Sequence, residues 1–267
     1  MVDLRQSPAY ARYITKLGWR VLQIPNLKSQ IPINIFVRKL WVFGAIAKIQ
    51  RFVPPLRWNI INKVLKENRV WMTKIEPVDN THYSMLNAQG FRQDGWPLLA
   101  SKTLRIDLNN IKPKKDCRYC IRRSQRLAFR VQKNNFGGFY KLWKKAAGIK
   151  RLWVPPYKDY LNLIRSFGKS AVCLTVDDQA GALILIYDKT AYYYYAAALP
   201  IGKKRYLQYY VVWELMKMVK KLGCSVWDFE GIYDQRWPNK GWKGFSHFKK
   251  SFGGTEVEFP GSFTKWL

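Results

Sequence analysis

Between Cys224 and Phe263 the chain reads CSVWDFEGIYDQRWPNKGWKGFSHFKKSFGGTEVEFPGSF, and this order of segments leaves few ways to fold. Val226 to Phe229 is a short apolar and aromatic run that fits a buried strand, and its end carries Asp228 and Glu230, closed by Gly231. Ile232 to Gly241 is rich in Asp, Asn, Pro and Trp and predicts a long loop. After it, Phe245, Phe248 and Phe252 recur at helical spacing with Lys243, Lys249 and Lys250 between them. Gly253-Gly254 supplies the left-handed stop that helix ends prefer. A cation on a short, aromatic-anchored helix therefore follows directly on a strand end that bears carboxylates.

With 267 residues, 48% of them apolar, the chain can bury a sizeable core and is not a disordered polycation. Its 47 Lys and Arg against 17 Asp and Glu give a net charge of +30. A field of that sign gathers polyanions, so RNA, anionic lipid head groups or a phosphorylated substrate are the expected partners, with plain solubility the competing reading. Of the four cysteines, Cys117, Cys120, Cys173 and Cys224, only the first two have C-x-x-C spacing, and no second pair or His cluster completes a zinc site. No metal and a reducing compartment are expected. Met1 to Ser29 lacks the apolar core of a signal peptide. The longest apolar run, Leu40 to Ala47, is bracketed by Arg38, Lys39 and Lys48 and falls far short of the ~20 residues that span a bilayer. A cytoplasmic, monomeric protein is expected, with peripheral contact to an anionic membrane through basic residues interleaved with Trp and Phe.

Along the chain, helices are predicted over Ser7–Leu17, Trp58–Asn68, Cys117–Arg126, Gly138–Ala147, Tyr157–Phe167 and Tyr206–Leu222. Strands are predicted over Trp19–Pro25, Ile33–Val37, Leu40–Ile46 (with Arg38-Lys39 at a hairpin turn), Val70–Ile75, Lys102–Leu108 and Ala128–Gln132. A three-stranded meander follows, over Ala171–Val176, Gly181–Tyr187 and Thr190–Ala198. His82 to Trp96 reads as loop, and Asn109 to Lys115 as a polar connector between a domain of residues 1–110 and one of residues 111–267. Each half places helices first and a meander later, which predicts an α/β (α+β) fold of two tandem GNAT-like domains with mixed sheets, the first reduced. Arg118, Arg122 and Arg126 share a helix face with Arg123 beside them; their mutual repulsion costs a few tenths of a kcal/mol per pair, so the stripe reads as a solvated face or a phosphate-binding one.

DFEGI followed by FKKSFGG and EFPGSF resembles the C-terminal signature of the Fem-type (FemABX) peptidoglycan aminoacyltransferases, Asp-Phe-x-Gly-Ile, a loop, then Phe-Lys-x-x-Phe-Gly. KTLRIDL is similar to that family's Thr-x-x-x-Asp-Leu strand, Glu76-Pro77 stands where the family has Asp-Pro, Trp213-Glu214 matches a tryptophan–acid pair in its long helix, and Arg118, Ile121, Arg122 and Arg123 follow its Arg-x-x-Ile-Arg-Lys-Ala helix. One departure stands out: Pro155-Pro156 stands where the family often has an Arg for a phosphorylated substrate. The order from the helix at Phe139 to the strand at Val226 is that of a GNAT acyltransferase domain, but the Arg/Gln-x-x-Gly-x-Gly/Ala loop that holds the acetyl-CoA pyrophosphate is missing, which argues against acetyl-CoA.

The resemblance implies transfer of an amino acid from aminoacyl-tRNA to the stem-peptide amine of a lipid-linked or nucleotide-linked muropeptide precursor, with no cofactor besides that donor. Because the ester is already activated, alignment, a route for the amine proton and a cation for the developing oxyanion suffice. The resemblance assigns the last task to Lys249, with Phe248 shaping a pocket for the tRNA terminus. It implies substrate contacts at Tyr193 and Tyr195, whose spacing would give them one strand face, and at Tyr160, Glu76 and Asp228. Phosphate contacts are implied at Arg118, Arg122 and Arg123; separately, a strand, a Gly-containing loop and a helix N-terminus make an anion site to which Lys203, Lys204 and Arg205 add charge. Asp228, Glu230 and Glu76 are candidate bases by position, His247 stands beside Phe248 without a counterpart in the family, and Ser246 has no His/Asp companion. Two alternatives remain: a non-catalytic GNAT-like module that binds RNA or membrane, and an N-acyltransferase using acyl-CoA or acyl carrier protein.

Overall fold

Hydrophobic patterning divides the chain into two α/β units, each closed around its own core. The structure, a computed structural model, describes residues 2–26, 31–79 and 83–267. The first elements are α1 (Pro8–Lys16), β1 (Arg20–Ile24), β2 (Ile33–Lys39), β3 (Ala45–Phe52), α2 (Trp58–Glu67), β4 (Val70–Pro77), α3 (Tyr83–Ala88) and β5 (Arg92–Gln93). There follow β6 (Lys102–Asp107), α4 (Lys115–Gln125), β7 (Val131–Lys133), α5 (Phe136–Ile149), α6 (Tyr157–Phe167), β8 (Ala171–Val176), β9 (Ala180–Tyr187) and β10 (Thr190–Ala198). The chain ends with α7 (Pro200–Lys204), α8 (Leu207–Lys221), β11 (Val226–Asp228), α9 (Lys243–Lys250), β12 (Thr255–Glu258) and β13 (Phe263–Trp266).

In the first unit a sheet runs β1-β2-β3-β4-β13-β5, antiparallel except between β3 and β4. A parallel neighbour needs a crossover, and α2 supplies it. Ile35, Ile49, Ile61 and Ile75 are fully buried in its core. The second unit repeats the plan. Its sheet runs β12-β6-β11-β10-β9-β8-β7, with β8-β9-β10 a meander and α7 and α8 carrying the crossover to the parallel strand β11. Leu207, Val211, Leu215 and Met216 of α8 bury against Trp227 and Phe229.

Contacts divide the chain at Lys102/Thr103, not after residue 110, and residues 234–238 and 258–267 belong to the first unit. The C-terminal strand is drawn there by Asp94, whose carboxylate accepts hydrogen bonds from Thr264 (2.7 Å), Ser262 (2.7 Å) and Lys74 (2.9 Å). In each unit the parallel strand gains an antiparallel neighbour from outside its own meander: β13 beside β4, β6 beside β11.

Several expectations change. Leu40 does not begin a strand: residues 41–43 form a 3-10 turn, and β3 starts at Ala45, so the hairpin turn lies beyond Arg38-Lys39 rather than on it. Residues 200–204 are helical, and Tyr206 takes a left-handed conformation (φ 57°) that separates them from α8. The expected loop before Trp96 contains α3 and β5. Its first residue, His82, and Ser29 at the end of the amino-terminal segment lie outside the described residues. No described helix is long and apolar enough to cross a membrane.

The glycine pair after α9 does more than stop a helix. Gly254 has φ +96°, and a Cβ there would land on the carbonyl oxygen of Arg105 in β6. Gly254→Ala is expected to cost about 2–4 kcal/mol, positive-φ strain plus displaced backbone, read as a lowered urea midpoint.

Candidate active site

Strands β10 and β11 pair over three positions, Thr190 with Val226, Ala191 with Trp227 and Tyr192 with Asp228, after which β10 runs on to Ala198. The equivalent pair in the first unit, β3 and β4, stays paired from Ala45/Val70 to Phe52/Pro77, with a register shift near each end. Only the second unit therefore has a parallel pair that parts, and the residues beyond the parting need other partners for their backbone.

Lys249 supplies them. Its ammonium donates to the carbonyl oxygens of Phe229 (2.8 Å) and Gly231 (2.6 Å), just past the end of β11. The rings of Phe245, Tyr193 and Phe229 lie 4.8, 5.7 and 5.9 Å from Nζ. Tyr193 is the first residue of β10 beyond the paired stretch, so the cation sits beside the separation. The Lys249 side chain is buried, which pushes its pKa down from 10.5 to about 8 despite the opposing pull of Glu230 and Asp228. An ammonium has three donors, and among the described residues the third finds no acceptor.

Asp228 builds this arrangement and is not exposed to a substrate. Buried at 2% exposure, it accepts from Thr103 Oγ1 (2.6 Å) and Arg105 Nε (2.8 Å) on the neighbouring strand, and from the backbone N–H of Glu230 (2.8 Å). The last bond closes a turn in which Glu230 adopts φ +58°, presenting the carbonyls at 229 and 231 to the ammonium. Ser246 is likewise structural, donating to Trp242 O and accepting from Tyr233 N–H (both 2.6 Å), which ties the loop after β11 to α9. Phe248 is half-buried, edge-on to Tyr209 and Phe252, while His247 is exposed.

The tyrosines do not share a face. β9 pairs Ile184 with Tyr193 and Leu183 with Tyr195, so Tyr194 is a bulge that sends its neighbours to opposite sides. Tyr193 joins the core under α8 and α4, where Gln208 donates to its hydroxyl (2.6 Å). Tyr195 stacks on Trp143 of α5 at 4.0 Å. Tyr160 is buried at 1% exposure, donates to Phe136 O (3.0 Å) and packs against Tyr140 and Tyr157, an anchor between α5 and α6. Glu76 belongs to the first unit and is fully buried there, accepting from Leu99 N–H (2.8 Å) and Gln50 (3.3 Å).

The basic residues form a surface of the second unit. Arg118, Arg122 and Arg123 are exposed on α4, whose other face buries Cys117, Cys120 and Ile121. Arg123 donates to the Tyr119 hydroxyl (2.7 Å) and lies 5.6 Å from the ring of Tyr206, next to exposed Lys203 and Lys204. Arg205 is committed to Asp177 (3.0 Å) and Ala128 O (3.1 Å). No group of three His, Cys, Asp or Glu side chains among the described residues could hold a metal. Burial pushes the thiols of Cys117 and Cys224 up to about 11, opposite to an activated cysteine.

Sequence reasoning missed Thr103, Arg105, Gln208 and Trp143. The first two were legible in principle: they alternate with Leu104 and Ile106 in β6, and Arg105 stands directly opposite Asp228 in the register.

Two mixed sheets, each a meander joined through a helical crossover to a parallel strand, define a tandem GNAT-like acyltransferase fold. Residues 175–267 match the FemAB family, a stretch that holds Lys249, Phe248, Tyr193 and Tyr195. The crystal structure of FemX matches with a TM-score of 0.84 at 14% identity, over 99% of this chain and 92% of that one. The structural match shows a shared fold over nearly the whole chain, and the family match covers its carboxy-terminal third. L-PGS from Bacillus licheniformis (TM-score 0.60, 12% identity, 98% and 92% covered) and a tandem GNAT protein from the clavulanic acid biosynthesis pathway (0.55, 8%, 90% and 80%) share the fold. No curated protein matches.

Lys249 should titrate near 8 when followed by NMR of 13Cε-labelled lysine, its resonance identified by its absence in Lys249→Met. The depressed value also sets a sign for stability. The unfolded chain binds this proton more tightly, so the Lys249 contribution to stability rises with pH between about 8 and 10.5.

Proposed function

We propose that the chain is an aminoacyltransferase that moves an amino acid from aminoacyl-tRNA to an amine of a peptidoglycan-precursor stem peptide. The observation that carries this reading is Lys249: a desolvated cation, fixed by two carbonyls beside a parted strand pair, with one N–H unclaimed. Attack of the acceptor amine on the aminoacyl ester puts negative charge on the former carbonyl oxygen, and the unclaimed N–H is the donor for it. Because the ammonium is held before substrate arrives, little reorganisation is needed at the moment of reaction. The FemAB match over residues 175–267 supports the acyl-transfer class and the acceptor. The exposed Arg122, Arg123, Lys203 and Lys204, with Arg123 over the ring of Tyr206, support a nucleic-acid donor. Asp228 is committed to holding the turn and is not offered as a base; the acceptor amine loses its proton to solvent or to the ribose of the donor.

Transfer of labelled amino acid from charged tRNA to nucleotide-linked or lipid-linked muropeptide tests the reading. Lys249→Met is expected to lower kcat by about 100- to 1,000-fold, as loss of one oxyanion donor does, while tRNA binding is kept. Unchanged transfer would remove Lys249 from the chemistry, and transfer from acyl-CoA alone would overturn the donor. For the active protein, kcat is expected to fall as pH rises through about 8, where the ammonium loses its proton.

Reversing charge at Arg122 and Arg123 is expected to weaken tRNA binding about tenfold or more and to flatten its salt dependence, measured by filter binding across ionic strengths. Equal affinity and slope would place the tRNA contact elsewhere.

A further inference from the structure

The turn between β2 and β3 holds three consecutive large apolar side chains in solvent: Trp41, Val42 and Phe43 are 95, 87 and 78% exposed. Scattered surface apolar residues are ordinary, but three in a row at a hairpin apex are not explained by folding. The fold holds them outward. Leu40 N–H donates to Gly44 O (2.8 Å) and Phe43 N–H to Leu40 O (2.9 Å), and Trp41 takes φ +48°. Gly44 takes φ +85°, and a Cβ there would meet Arg69 O at 2.7 Å and the Trp71 ring at 3.1 Å, so the turn closes on a position that suits only glycine.

Cations and further tryptophans surround the apex. Arg38 and Lys39 lead into it, Ala45 N–H donates to Arg69 O, and Arg20 lies on β1 opposite Val37; all four basic side chains are exposed. Arg38 and Lys48 lie over Trp19 at 5.6 and 4.5 Å, and Trp71 stacks on Trp266 at 5.2 Å. No carboxylate occurs in residues 38–48, and the nearest along these segments is Glu67 at the end of α2.

We propose that this end of the first unit docks on an anionic lipid bilayer, with Trp41, Val42 and Phe43 inserted at the head-group boundary and the arginines and lysines against lipid phosphates. Apolar tip, tryptophan belt and flanking cations follow the depth order of that interface. A protein partner fits less well, because three residues cannot build a surface of about 800 Å² a side. RNA would meet the cations first and leave Val42 unmatched. The inference stands independently of the acyl-transfer reading.

The test uses the full chain and sedimentation with vesicles of phosphatidylcholine alone or mixed equally with phosphatidylglycerol. Binding is expected to the mixed vesicles and to be salt-sensitive, and the Trp41→Ser, Val42→Ser, Phe43→Ser triple variant is expected to lose it about tenfold or more, with circular dichroism and tRNA binding unchanged. A polarity-sensitive dye on Val42→Cys, selective because the four native cysteines are buried, should shift to the blue with mixed vesicles and not in buffer. Equal sedimentation of the triple variant, a dye that does not shift while the protein sediments, or a triple variant that loses tRNA instead of vesicles would each overturn the proposal.

Discussion

The early end of pairing between β10 and β11 is the constraint on which the candidate site depends. A parallel ladder that continued past Tyr192 and Asp228 would use up the backbone groups beyond it, as the longer β3–β4 ladder does in the first unit. Once the strands part, the carbonyls at Phe229 and Gly231 need donors, and a buried ammonium becomes tolerable because those carbonyls are there to receive it. Each feature makes the other affordable. Alone, a desolvated lysine costs several kcal/mol and unsatisfied buried carbonyls about 1–3 kcal/mol each.

The turn that aims the carbonyls rests in its turn on Asp228. Its three acceptor bonds come from two strands and from its own chain, so the ion pair with Arg105 is a cross-strand contact turned to positioning. The glycine pair completes the linkage from the other side: Gly254 passes directly over the Arg105 carbonyl, which fixes where α9 ends and hence where Lys249 begins. Strand β6, its neighbour β11 and helix α9 are thus tied together by polar and backbone contacts in addition to the shared core of Ile106, Trp227 and Phe229 against which Phe248 packs.

How far the sequence could be read follows from which of these contacts are local. The strand at Val226, the aromatic-anchored helix and the glycine stop depend on residue spacing within a few positions, and all were legible. So was the meander with its helical crossover, because alternation and the 3.6-residue period are local signals. What escaped is non-local or geometric. A bulge at Tyr194 needs only one residue of slip to undo the expectation that Tyr193 and Tyr195 share a face, and nothing in four consecutive tyrosines marks which is skipped. Glu76 was placed correctly at a strand end, yet whether a strand end opens or is sealed depends on Leu99 and Gln50, which approach from elsewhere in the chain. The membership of residues 258–267 in the first unit is of the same kind, set by Asp94.

The two units also divide two physical tasks that compete within one sheet. A parted parallel pair exposes backbone and weakens the ladder, so a unit that carries it must compensate through packing, and the second unit does so with Trp227, Phe229, Phe252 and the apolar face of α8 beneath the parting. The first unit keeps its parallel pair closed along its length and has no such opening to support. Its polar residues at the strand end, Glu76 and Gln50, are consequently turned inward and bonded to one another, while its exposed aromatic and basic side chains collect at the opposite ends of the same strands, around Gly44 and Arg69. The two units thus use one sheet plan with the parallel strands joined in the first and parted in the second.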